Sequence, residues 1–384
     1  MDPARTTSTA AVSTLRTNAT SIAAVTTVRA AVVGLGWSGR ELWLRRLAAN
    51  PAYQVTALAD PDDEALAAAA EIAPDARRTR RAEEIGPDLA DLAIVAVPNH
   101  LHTATAETLL GTGVSVFVEK PVCLSRPELE RLRAAEAASA GRLFAGSAAR
   151  WRADVGTLRS VVPALGRIRL VELSWVRARG IPRQGGWFTE RCRSGGGALI
   201  DLGWHLLDVG LDLIGRPGIV QACAVTSADL LDDGRWSASW RGDRTASGRR
   251  DVEDGAAGFL VTDDGVGMFL RTAWASHQPY DLTKIRLHGS AATASLSCTF
   301  GFSPTREPTP RLVVHRAGIA EPVPLAEEPI GTEYHRQLEE LPLLVAGGEP
   351  RGRALDETAT IISAIEALYA SAAPPSSPLK ERAG

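Results

Sequence analysis

The sequence predicts two folded units in succession: an α/β unit built on a parallel sheet, then an α+β unit whose sheet is mostly antiparallel. Three observations lead there. From Arg29 to about Gly146 short β-like runs alternate with helical stretches, the pattern of βαβ units. Beyond Trp151 longer strands surround one conspicuous apolar helix, Gly197 to Ile214. The chain's 384 residues are about twice the size of an ordinary domain.

In the first unit the expected strands are Ala30 to Val33, Gln54 to Ala59, Leu92 to Val97, Val114 to Val118 and Leu143 to Ala145, with a helix over Arg40 to Ala49. In the second, Phe259 to Val261 runs into Asp264-Gly265. Val266, Met268, Leu270, Thr272 and Trp274 then follow at alternate positions, which predicts an antiparallel hairpin with a two-residue turn. Glu333 to Val345 and Ala354 to Ala370 have helical periodicity and should close the fold. Asp232 to Asp251, rich in Arg, Ser, Gly and Trp, is expected as a solvated loop or insertion. Residues 1–27 lack the apolar core of a secretory signal and are expected as a disordered tail or a start-site artefact, and 373–384 as a second tail. The expected organisation is 28–148 for the first domain and 149–372 for the second.

Composition narrows the function. With 45% hydrophobic and 23% charged residues the chain resembles an ordinary globular protein. Its 42 basic residues face 45 acidic ones, for a formal charge of -3 with no basic cluster, so nucleic acid is not an expected partner. No apolar run approaches the ~20 residues needed to span a bilayer, so no membrane partner is expected either. Cys123, Cys192, Cys223 and Cys298 show no C-x-x-C spacing and read as reduced thiols in a cytoplasmic setting, without a metal site.

Gly34-Leu35-Gly36-Trp37-Ser38-Gly39 is a G-x-G-x-x-G between an apolar strand and a helix, the context in which it cradles a dinucleotide pyrophosphate. Asp60, 21 positions beyond Gly39, ends the next strand, near the ~20-residue spacing at which a carboxylate meets the ribose hydroxyls of NAD. Pro61, Asp62, Asp63 and Glu64 follow it, an acidic loop with no adjacent arginine, so NAD is favoured over NADP. Asp60 could equally cap the next helix.

Val97-Pro98-Asn99-His100-Leu101-His102 and Glu119-Lys120-Pro121 each begin where a predicted strand ends, and strand carboxyl ends are where doubly wound sheets hold ligands. Lys120 is one of only three lysines and the only one so placed. Further on, the glycine triplet Gly195 to Gly197 opens the apolar helix. Asp201, His205 and Asp208 fall at i, i+4 and i+7, one polar stripe that needs solvent or a cleft.

Together these segments resemble the glucose-fructose oxidoreductase / inositol dehydrogenase (Gfo/Idh/MocA) family, whose members carry G-x-G-x-x-G, Pro-Asn-x-x-His, Glu-Lys-Pro and Asp-x-x-x-His in this order. The resemblance runs from about Arg29 to Ala370. It implies a Rossmann domain plus an α+β domain whose mostly antiparallel, open-faced sheet makes a homodimer or homotetramer. By position it places the family's catalytic lysine, aspartate and histidine on Lys120, Asp201 and His205. Its cofactor contacts fall on Gly34, Gly36, Gly39, Asp60, Pro98, Asn99, His102 and Glu119, with Trp37 and Ser38 inside the loop. Trp37-Ser38 departs from the small or Met-containing pairs often seen there, and 232–251 has no evident counterpart.

The resulting expectation is an NAD-dependent dehydrogenase or reductase acting on one secondary alcohol or ketone of a sugar, sugar nucleotide or cyclitol, in a pathway of the aminosugar or aminoglycoside kind. An imidazole at its ordinary pKa of ~6.5 needs less tuning than a lysine at ~10.4, so His205 is expected to take the hydroxyl proton. Lys120 would donate to the same oxygen and Asp201 would fix the geometry. Arg150, Trp151, Arg177 and Trp187 supply the donors and flat faces expected to line a sugar site. Two other classes use the same residues: a lyase or glycosidase that oxidises its substrate transiently, separable because it accumulates no NADH, and an NAD-binding regulator, which has no need of both Lys120 and His205.

Overall fold

The computed structural model describes residues 27–182, 186–238, 250–348 and 350–372. The expected tails, apart from Thr27, and residues 239–249 of the 232–251 segment lie outside the described residues.

The first unit is a six-stranded parallel sheet of order β3-β2-β1-β4-β5-β6. Its strands are β1 (Val28–Val33), β2 (Tyr53–Ala59), β3 (Arg77–Thr79), β4 (Leu92–Val95), β5 (Ser115–Val118) and β6 (Leu143–Ala145). Val/Ala/Leu runs buried on both faces explain the central strands, as in any parallel sheet covered by helices. Strand β3 was not expected: three residues reading Arg-Arg-Thr at a sheet edge carry no apolar signal. The strand expected to reach Val97 stops at Val95, where the chain turns toward Pro98. The expected Arg40 helix starts earlier, as a π-helical turn Ser38–Leu44 that runs into α1 (Arg45–Ala49). Helices α2 (Asp63–Ala70), α3 (His102–Thr112) and α4 (Arg126–Ala138) connect the later strands.

The strand order reverses between β1 and β4. That switch point is where ligands meet open α/β sheets. Close packing there requires glycine: a Cβ on Gly34 (φ +88°) would lie 2.7 Å from the Ala96 and Val97 backbone, and one on Gly39 would lie 1.7 Å from the Gly34 carbonyl oxygen.

After α5 (Ala153–Val161), an eight-stranded sheet forms in the order β14-β13-β12-β11-β7-β10-β9-β8. Its strands are β7 (Ile168–Val176), β8 (Ile219–Ser227), β9 (Gly255–Thr262), β10 (Gly267–Ala273), β11 (Leu282–Gly289), β12 (Thr293–Cys298), β13 (Arg311–Arg316) and β14 (Ile319–Val323). All neighbours pair antiparallel except β7 with β10. The predicted hairpin is β9–β10, but Thr262 pairs with Val266, so the chain turns over three residues, Asp263-Asp264-Gly265, and not over the two expected. One face alternates buried residues such as Val171, Leu270 and Ile285; the other exposes Phe269 and Lys284.

The buried face is covered by α7 (Ala198–Leu213), which follows the one-turn helix α6 (Arg191–Ser194). The predicted glycine triplet has a steric reason. A Cβ on Gly197 would sit 1.8 Å from the Glu253 carbonyl oxygen, and one on Gly196 1.9 Å from the Tyr369 hydroxyl. Glu253 Oε1 accepts from the amides of Gly197 and Leu199 at 3.0 and 2.9 Å, capping the positive end of α7, and from Tyr369 at 2.8 Å. The closing helices α8 (Thr332–Leu343) and α9 (Arg353–Ser371) return to both units: Leu338 and Leu341 join the first unit's core, while Ile361, Ile365 and Leu368 pack with α7. Within 232–251, a 3-10 turn Gly234–Trp236 leads to a bridge between Ser237 and Ile181.

Candidate functional site

Three segments converge at the carboxyl ends of the parallel strands: the glycine loop after β1, the Pro98 turn after β4 and Glu119-Lys120 after β5. Against them lies the first turn and a half of α7. The Lys120 ammonium is 2.7 Å from Asp201 Oδ1, and Asp201 Oδ2 accepts from Trp274 Nε1 at 2.9 Å. Lysine and aspartate are only 19% and 6% exposed, so water screens this pair weakly.

The glycine loop fits a dinucleotide. Gly36 is exposed with no heavy atom within 4 Å of where a Cβ would stand, so its backbone is open to a ligand. Among the described residues no protein acceptor takes up the amides of Gly36, Trp37 or Ser38, the unfilled donors of a helix start to which phosphate oxygens bind. Asp60 accepts from the Leu35 amide at 2.7 Å and the Asp62 amide at 2.9 Å, so it braces the loop and also caps the turn into α2. Each carboxylate oxygen has a second lone pair, leaving acceptor capacity for ribose hydroxyls. Trp37 is 46% exposed and stands edge-on to Phe302, whose ring stacks on Tyr334.

Other expected cofactor contacts are spent on the protein itself. Both ring nitrogens of the buried His102 lie against backbone carbonyls, Pro121 at 2.7 Å and Val97 at 2.9 Å; the neutral ring donates its single N–H to one of them, and the other carbonyl closes off the second nitrogen, so neither is open to a ligand. Glu119 Oε1 accepts from Trp43 Nε1 and Oε2 from the Lys120 amide, both at 2.8 Å, so Glu119 braces the lysine from below. Burial pushes its carboxyl pKa up. Asn99, behind Pro98, donates its side-chain amide to the Ser194 carbonyl and holds the turn against α6.

The polar stripe of α7 is divided. Asp201 accepts from Lys120 and Trp274 and also lies within electrostatic reach of His205, whose pKa it acts to raise. The His205 ring lies 5.6 Å from Trp175 and lines a small cavity of about 20 Å³ with Arg152, Phe300, Glu333 and Tyr334. Burial, with the Lys120 and Arg177 cations nearby, pulls its pKa down to about 3, against the expectation of titration near neutrality. Asp208 faces the other way: it lies 3.1 Å from Arg150 and 2.9 Å from Arg216.

Of the expected sugar-site residues, Arg150 is therefore committed to an internal ion cluster. Its guanidinium also meets Glu357 at 2.7 Å. Trp151 ends the 3-10 turn Ala148–Trp151 and lines a different, larger cavity with Arg150. Arg177 lies over the Trp175 ring at 5.0 Å, within electrostatic reach of His205. Trp187 stacks on Phe188 at 4.0 Å. Sequence reasoning missed Arg152, Trp175, Phe300, Glu333 and Tyr334, which come from four separate segments. Only the Arg-Trp-Arg run at 150–152 hinted at any of them.

His102 offers a test. Its folded pKa is pulled down to about 4 by burial, below the ~6.5 of an unfolded histidine. The unfolded chain therefore binds the extra proton first, and the stability carried by neutral His102 is present above about pH 6.5 and is lost as pH falls toward 4. His102→Gln should be destabilised at pH 7.5, and its gap to the unsubstituted protein in thermal unfolding should shrink at pH 5. A gap that is constant or widens toward acid contradicts a neutral buried His102.

The comparisons with known proteins agree with this fold. Residues 28–147 match the oxidoreductase family described as having an NAD-binding Rossmann fold, and residues 158–295 match the GFO/IDH/MocA C-terminal domain. A protein of Amycolatopsis mediterranei (strain S699) named "Putative UDP-kanosamine synthase oxidoreductase subunit" is 53% identical over 349 residues, 90% of this chain and 96% of its own. In fold, the chain resembles GenD2 from gentamicin A biosynthesis in complex with NAD (TM-score 0.70, 22% identity, 90% and 93% of the two chains). It also resembles the UDP-N-acetylglucosamine 3-dehydrogenase GnnA of Acidithiobacillus ferrooxidans (TM-score 0.68, 20% identity, 90% and 98%). With a relative this similar along nearly its whole length, and a family match in each unit, the chain belongs to the Gfo/Idh/MocA family of oxidoreductases.

Proposed function

We propose that this chain is an NAD-dependent dehydrogenase or reductase acting on one secondary alcohol or ketone of a sugar nucleotide or related ring, in the making of an aminosugar-type product. The observation that carries the reading is the Lys120 ammonium held 2.7 Å from Asp201, at the strand ends beside the open glycine loop. The substrate class follows the relatives, whose names speak of UDP-kanosamine, gentamicin A and UDP-N-acetylglucosamine.

Gly34, Gly36, Trp37, Ser38 and Gly39 would hold the pyrophosphate and Asp60 the adenosine ribose. The nicotinamide, when bound, supplies the hydride acceptor or donor. Lys120 handles the proton. In the reduction direction the ammonium would donate its proton to the carbonyl oxygen and become the amine, and in the oxidation direction the amine would take the hydroxyl proton back. Asp201 fixes where the ammonium points. His205, whose protonated form is opposed by burial and by two neighbouring cations, acts as a neutral hydrogen-bonding partner of the substrate oxygen. This reassigns to Lys120 the proton that an ordinary imidazole pKa had given to His205. A homodimer or homotetramer belongs to the same proposal, supported by the exposed Val225 and Phe269 on the open sheet face, and light scattering reads it directly.

Absorbance from NADH during incubation with NAD and UDP-glucose, glucose 6-phosphate, glucose or myo-inositol tests the reading. Turnover of a ring compound is expected, and turnover of short aliphatic alcohols alone contradicts it. Lys120→Met should lower kcat by on the order of 10²-fold or more while NADH binding survives. Because His205 stays neutral above about pH 5, His205→Gln should slow the reaction without changing the shape of the kcat/KM profile between pH 5 and 8. An acid limb near 6.5 that vanishes in the variant returns the proton to His205.

Cofactor choice rests on Asp60. The unsubstituted protein should prefer NAD over NADP because a 2'-phosphate would meet this carboxylate, and Asp60→Ala should narrow the preference. Equal affinity for both cofactors in the unsubstituted protein removes the role.

A further inference from the structure

Glu333 stands in the first turn of α8, is only 4% exposed, and lines the small cavity that His205 also lines. No described residue donates a hydrogen bond to its carboxylate. Its ion-pair partner among the described residues is Arg152, whose Nη1 stays 3.8 Å away, beyond hydrogen-bond reach. Arg152 cannot swing closer without losing other contacts. Its Nε and Nη2 donate to Asp154 at 3.0 and 2.7 Å, and its guanidinium lies 4.7 Å from the centre of the Phe300 ring. Arg46 and Arg306 feel the Glu333 charge from further off.

Counter-charge is therefore supplied, by three arginines and by the positive end of α8, but a donor is not. Both carboxylate oxygens keep accessible surface, so a group entering the cavity can reach them. Size limits what that group is. About 20 Å³ is little more than one water-sized sphere, enough for a single hydroxyl and far too small for a ring. Charge limits it further, because a carboxylate accepts from a hydroxyl and repels a phosphate. Trp175, Phe300 and Tyr334 make the remaining wall aromatic.

We propose that Glu333 selects the substrate: its carboxylate accepts a hydrogen bond from the hydroxyl next to the reacting carbon, which enters this cavity while the ring stays in the cleft. The inference rests on the proposed function, in which His205 meets the reacting oxygen. A neighbouring oxygen of the same ring is then the group near enough to reach Glu333. A sugar lacking that hydroxyl leaves the carboxylate without a donor in a poorly hydrated place, and is rejected for that reason.

Calorimetric titration of the full-length, NADH-loaded protein with UDP-glucose and its 2-, 3- and 4-deoxy analogues tests it. One analogue lacking a hydroxyl beside the reacting carbon should bind about tenfold or more weakly than UDP-glucose, the scale of one hydrogen bond to a charged group. In Glu333→Leu that analogue and UDP-glucose should bind alike, with NADH affinity unchanged. Glu333→Gln, which keeps an acceptor and loses the charge, should retain part of the discrimination. Should Glu333→Leu fail to fold, Glu333→Gln carries the test, its rise in KM for UDP-glucose exceeding any fall in kcat. The inference is overturned if the discrimination survives undiminished in the variants, if NADH affinity falls in parallel with sugar affinity, or if UDP-glucose does not bind while another ring compound is turned over. If no ring compound is turned over at all, the redox reading falls, and the inference with it.

Discussion

The ion pair between Lys120 and Asp201 is the interaction on which the arrangement of the site depends, because it is made across the two units. The lysine ends a strand of the parallel sheet; the aspartate stands in the first turn of the helix that covers the antiparallel one. Separating a buried pair by removing one partner costs about 3–5 kcal/mol, since the survivor is left charged in a poorly hydrated place. Much of the surrounding structure holds the two ends in register. Trp43 and Glu119 fix the lysine's backbone, and His102 lies between the carbonyls of Val97 and Pro121, beyond the two strand ends. On the other side Trp274 holds the second carboxylate oxygen, while Glu253 and Tyr369 cap the helix that carries it.

Helical spacing placed three polar groups on one stripe, and the fold uses them for two purposes. Asp201 serves the strand ends, whereas Asp208, seven residues and about 10 Å further on, anchors Arg150 and Arg216. His205 lies between them among aromatic rings, close to cations, and is held neutral. A carboxylate next to an ammonium and an imidazole in an apolar wall divide the work differently from two titrating groups of similar pKa. The lysine is the charged member and the histidine the uncharged one.

Much of this was legible in the sequence because it is local. The glycine loop, the strand ends, the β9–β10 hairpin and the apolar helix with its stripe each lie within a few consecutive residues, and each was found, though β4 ends two residues early and the hairpin loop is one residue longer than expected. What could not be read depends on contacts distant in sequence. His102 looked like a ligand contact until both nitrogens were seen against Val97 and Pro121, and Arg150 looked like a sugar contact until Asp208 and Glu357 closed on it. The ring-lined wall beside His205 was hidden for the same reason, since Trp175, Phe300 and Tyr334 come together only through sheet register and the return of α8. The pKa of His205 is likewise set first by burial in that wall and then by Lys120, with Asp201 opposing the shift.

If the Lys120–Asp201 pair acts as one device, a double-mutant cycle on turnover measures it most directly. Lys120→Met, Asp201→Asn and the double variant would be compared in kcat for the same ring substrate with NAD saturating. The account predicts strong non-additivity: once Lys120 is gone, removing the charge of Asp201 costs little more, because its work is to hold the ammonium. Losses that simply multiply would mean that Asp201 acts independently of Lys120, and would contradict the assignment of the site to the pair.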